Sequence, residues 1–149
     1  MHKFQPSLNS LRPFSLVQSV LTSAYASDVT TPSAKGAIAY IVSPKDGDSV
    51  SGTFKVVFGL TGMGVAPAGV EQENTGHHHL LIDQDSLPEA DVPMGNPPLH
   101  FGAGQTETEI TLEPGTHTLQ LILGNHFHVP HNTPVISEKI TITVTESGS

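Results

Sequence analysis

The clearest alternation of apolar and polar positions runs through residues 53–60 (TFKVVFGL), where Phe54, Val56, Phe58 and Leu60 fall on one side. A period of two is that of a strand with one buried face. Residues 116–123 repeat it, with Leu119, Leu121 and Leu123 on one face and Thr118, Gln120 and Ile122 on the other. Residues 135–145 set Val135, Ile140, Ile142 and Val144 in apolar rows, and shorter extended stretches fall at 37–42, 77–83, 99–101 and 106–112. Between them lie turn and loop signals: SPKDGD at 43–48, the glycines and proline of 61–76, Pro88, Pro93, Pro97 and Pro98 within 84–98, GAG at 102–104, EPG at 113–115, and 124–133. No stretch carries a helical period. Seven short strands so separated predict an all-β fold, an immunoglobulin-like antiparallel β-sandwich with Greek-key connections. A small barrel is the alternative.

Ahead of the strands, residues 1–26 read as a signal peptide. Lys3 and Arg12 precede a modest apolar run, and Ala24-Tyr25-Ala26 fits the small-x-small cleavage rule. Residues 27–36, rich in Ser, Thr and Pro, read as a flexible lead-in, and 37–146 as the sandwich domain. No stretch approaches the roughly 18 apolar residues of a membrane span. The expected location is periplasmic or secreted.

Charge narrows the partners. The chain has six basic and fourteen acidic residues, and beyond residue 26 only four lysines and no arginine face all fourteen acids. Such a domain lacks the cationic stripe that neutralises phosphates, so nucleic acid is excluded as a partner and a cation is favoured. There is no cysteine, which excludes disulfides, thiolate metal sites and the His₂Cys blue-copper arrangement.

The chemistry in this chain is carried by histidine. GHHHLLID (76–83) holds His77, His78 and His79; His100 and His117 follow, and GNHFHVPH (124–131) holds His126, His128 and His131. In a Greek key, the loops flanking these segments fall at a common end, with His117 at the opposite end in a structural corner position. His77 and His79 share one strand face, while His78 turns the other way with Leu80 and Ile82 and is expected to be a hydrogen-bonded, partly buried residue. Neutral imidazole binds copper or zinc well. The candidate metal ligands are therefore His77, His79, His100, His126, His128 and His131. Met63 and Met94 could add thioether for copper(I), although a loop methionine usually only packs. The competing interpretation is a non-catalytic envelope interaction domain whose histidines are structural or pH-responsive. A metal-dependent enzyme is a further alternative, but no HExxH, GxSxG, P-loop or GxGxxG motif is present.

The blocks SPKDG (43–47), VVFGLTGMGVAPAGVEQENTGHHHLLID (56–83), LHFGAGQTETEITLEPGTHTLQLILGNHFHVPH (99–131) and SEKITITV (137–144) resemble the DUF4399 family of small exported bacterial proteins of unknown function. The resemblance implies that the GHHH and HxHxPH groups are recurring features, and it implies an exported protein. It names no ligand. Where members of that family tend to carry another acidic residue or histidine ahead of LHFG, this chain has Met94-Gly95-Asn96-Pro97-Pro98.

Overall fold

The computed structural model describes residues 29–146; the expected signal peptide and the first residues of the lead-in lie outside them. Nine strands follow in order: β1 (Ile38–Ser43), β2 (Ser49–Val50), β3 (Thr53–Thr61), β4 (Gly64–Val65), β5 (Thr75–Ile82), β6 (Leu99–His100), β7 (Glu107–Thr111), β8 (Gly115–Gly124) and β9 (Ile140–Val144). There is no helix among the described residues, and so none long and apolar enough to cross a membrane.

The strands form a sandwich. One sheet has the order β1-β3-β7, the other β2-β9-β8-β5-β4 with β6 paired to β5. The long pairings β1–β3, β3–β7, β5–β8 and β8–β9 are antiparallel, whereas the two-residue strands β2 and β4 pair in parallel with β9 and β5. The seven strands expected from periodicity are all present, as β1, β3 and β5–β9. β2 and β4 were not expected, because two residues carry no readable period. The last strand is also shorter than expected. Ser137 turns its hydroxyl onto the Leu121 N–H at 2.8 Å, and Ile136 makes only an isolated bridge to Ile122, so regular pairing begins at Ile140.

The alternating faces meet between the sheets. Phe54, Val56 and Phe58 of β3 pack with Leu80 of β5, Leu119, Leu121 and Leu123 of β8, and Ile140, Ile142 and Val144 of β9. Burying these side chains contributes about 1.5–3 kcal/mol each. Central strand β5 is buried on both faces, not one: Leu80 is in the core, and His77, His79 and Leu81 on the reverse face are also buried. The loop before β6 and the segment after β8 cover that outer face. Met94 N–H donates to the His128 carbonyl at 2.8 Å, and Gly124 and Ile122 bridge to Pro130 and Ile136. That covered outer face holds the histidines.

Candidate metal centre

His77 and His79 project from one face of β5 by period two. His100 stands on β6 directly opposite His79 in register, and cross-strand neighbours on one face lie within side-chain reach. The fourth member, His128, comes from the turn after β8. Buried Asn125 holds that turn: its Oδ1 accepts from the N–H groups of Phe127 at 2.9 Å and Val129 at 3.1 Å, its Nδ2 donates to the Val29 carbonyl at 2.8 Å, and its own carbonyl accepts from His128 N–H at 2.8 Å. Within this Asx-type turn, His128 adopts a left-handed backbone with φ 65°. Parity therefore does not apply, and His128 is turned back toward β5 while its neighbour Phe127 faces solvent.

The four rings form one cluster. Centroid separations are 4.7 Å for His77–His79, 4.9 Å for His77–His100, 5.0 Å for His77–His128 and 4.5 Å for His100–His128. His77 Nε2 lies 3.1 Å from His128 Nδ1 and 3.2 Å from His100 Nε2. One nitrogen from each ring lies within 4.8 Å of the other three. An ion with metal–nitrogen distances of about 2.0–2.1 Å sets tetrahedral ligand atoms about 3.3 Å apart, so the two shortest separations match the edge of such a site.

Three nitrogens of the group have no hydrogen-bond partner among the described residues. His77 Nδ1 and both ring nitrogens of His79 are buried without a hydrogen bond of normal geometry. Burial and the neighbouring imidazoles hold the pKa of His77 near 4 and that of His79 near 3, and burial first, then His128, lowers that of His100. At neutral pH, His77 and His79 are uncharged, as a metal-ligating imidazole must be. His100 is exposed and His128 half-buried, which leaves the group an entry path from solvent.

Glycine makes room for the rings. A Cβ on Gly124 would stand 2.6 Å from His79 Cε1, and one on Gly102 would collide with His100 Cε1. Any side chain at either position would displace the imidazole beside it.

The other histidines are placed elsewhere. His131 is buried, and its Nε2–H donates to the Thr75 carbonyl at 3.1 Å, which commits that nitrogen. His126 stacks on Phe127 with centroids 4.0 Å apart and lines a separate cleft with His131, Glu71 and Glu73. Neither belongs to the group of four. His78 points into the sandwich as expected, 5.1 Å from the Phe58 ring. It is fully buried, and both its nitrogens lack a partner, in place of the partial burial and hydrogen bonding expected of it; burial alone lowers its pKa to about 4. His117 is structural in its contacts, bonded through Nδ1 to Asp83 Oδ2 at 2.6 Å and through Nε2 to the Glu113 carbonyl at 2.7 Å.

The family model for a domain of unknown function, DUF4399, matches residues 56–145, which takes in β5, β6, β8, the Asn125 turn and all four clustered histidines. The chain belongs to the DUF4399 family. No curated protein matches the chain in sequence. Among solved structures, the fibronectin(III)-like modules of CbhA from Clostridium thermocellum are similar at 12% identity over 74% of this chain and 100% of that one, with a TM-score of 0.37. The fold of this DUF4399 member therefore rests on its own strand order and core.

Proposed function

We propose that this protein is an exported metal-binding module of the bacterial envelope, periplasmic or secreted, that holds one copper or zinc ion on His77, His79, His100 and His128. The observation that carries the reading is the packing of four imidazoles nitrogen to nitrogen, with ligand atoms within 4.8 Å of one another. A cation at their centre would partner one nitrogen of each ring, including one of the two unpaired nitrogens of His79, and each unsatisfied buried group costs about 1–3 kcal/mol. The acidic balance of the chain favours approach of a cation. Storage or delivery of the ion fits a domain with no recognisable catalytic motif.

A second reading, docking to an envelope protein, is supported by one feature: Phe127, on the same turn as His128, is 52% exposed. The two readings are compatible, since delivery requires a recipient.

Titration of the purified protein with copper(II) and zinc(II), followed by elemental analysis after desalting, tests the proposal. One retained equivalent is expected, lost in a His79→Ala, His128→Ala double variant. Weak binding of several equivalents, unchanged in that variant, would contradict it.

A further inference from the structure

Between Glu89 and Pro97 every residue except Met94 is exposed. Met94 is half-buried, and its position is fixed at both ends. Its N–H donates to the carbonyl of His128 at 2.8 Å, tying its backbone to that of one clustered histidine. The point where a Cβ on Gly124 would stand lies 3.0 Å from Met94 Cε and 2.6 Å from His79 Cε1, so the terminal methyl of the thioether lies near the ring of another. The 89–97 stretch thus contributes one half-buried side chain beside the histidines, and that side chain carries sulfur. Met63 differs, because it packs against the hydrophobic core.

We propose that Met94 supplies a thioether ligand to a copper(I) ion in this histidine group, completing a four-coordinate set with three of the imidazoles of His77, His79, His100 and His128. The inference rests on the four-histidine reading and adds the identity of the ion. Thioether sulfur is a soft ligand that selects copper(I), whereas imidazole alone accepts zinc, copper, nickel or iron.

X-ray absorption at the copper edge, on protein loaded with one equivalent of copper(I), separates the outcomes. The wild-type protein and Met63→Leu are expected to show a sulfur scatterer beside the nitrogen shell, and Met94→Leu a nitrogen shell alone. Competition with a copper(I) chelator is expected to show an affinity loss of about tenfold or more in Met94→Leu, with zinc affinity unchanged. A nitrogen-only shell in wild-type protein that binds copper stoichiometrically, or equal copper(I) affinity in Met94→Leu, would overturn the role of Met94 and leave the four histidines standing. Failure of the wild-type protein to retain one equivalent of either metal would overturn both.

Discussion

His117 and His79 lie on neighbouring strands of one sheet, yet their surroundings are opposite. His117 donates both ring N–H groups, to the Asp83 carboxylate and the Glu113 carbonyl, and the hydrogen bond to Asp83, then that to Glu113, raises its pKa. His79 is fully buried with neither nitrogen hydrogen-bonded in normal geometry, and burial and the adjacent imidazoles press its pKa to about 3. The first arrangement is complete within the chain. The second brings ring nitrogens together with no opposite charge beside them among the described residues, and a bound cation would take one nitrogen of each ring. Residue type does not distinguish the two environments; burial and hydrogen-bond satisfaction together do.

The largest expected effect that would break this contrast is on metal retention. His117→Ala should keep the one equivalent that His79→Ala with His128→Ala loses, as measured by elemental analysis. Loss of metal in His117→Ala while the protein stays folded would erase the distinction.

Acid stability of the metal-free protein comes next, and the two regions should respond with opposite sign. The folded pKa values of His77, His78 and His79 lie at about 4, 4 and 3, below the value near 6.5 expected in the unfolded chain. Their contribution is complete above pH 6.5 and is lost as pH falls from 6.5 toward 4 and 3. The shift at His78 alone corresponds to about 3 kcal/mol, so urea midpoints should fall steeply across that window and less steeply in His78→Leu. His117 has a raised pKa, so its contribution is present below 6.5 and lost as pH rises through its folded value. His117→Gln should flatten only that neutral-to-alkaline side. A His78→Leu slope equal to wild type would mean that His78 is not held neutral by burial.

Smaller effects sharpen the account of how the rings are placed. Gly124→Ala puts a methyl 2.6 Å from His79 Cε1 and should destabilise the fold by about 1–3 kcal/mol while weakening metal binding. Asn125→Ala removes the acceptor for two backbone N–H groups and should cost about 1–3 kcal/mol, with metal affinity reduced about 10–100-fold because His128 loses its support. Calorimetry with and without metal reads both quantities. Least affected should be His126→Ala, whose metal affinity should match wild type.

Much of this architecture was legible in the residue pattern. The alternation of Phe54, Val56 and Phe58, and of Leu119, Leu121 and Leu123, is the core itself, and the same period separates His77 and His79 from His78. Period two does not extend into loops. It could not tell which of His126 and His128 turns inward, because an Asx turn organised by Asn125 and a left-handed backbone at His128 decide that. GN ahead of HFHV was the available signal. Nor could it show that Ile122 and Leu81, on the outer face, would be buried, since two irregular segments cover them. Buried polar groups are usually hydrogen-bonded, but His78 lies beside Phe58 and the apolar rows of the core, which offer it no partner.

Anomalous diffraction at the metal edge, from crystals of zinc-loaded protein, tests the central claim most directly. The account predicts a single strong peak about 2.0–2.1 Å from a ring nitrogen of each of His77, His79, His100 and His128. A peak elsewhere, for example between His126 and Glu71, or none within reach of these four rings in protein that retains zinc, would contradict it.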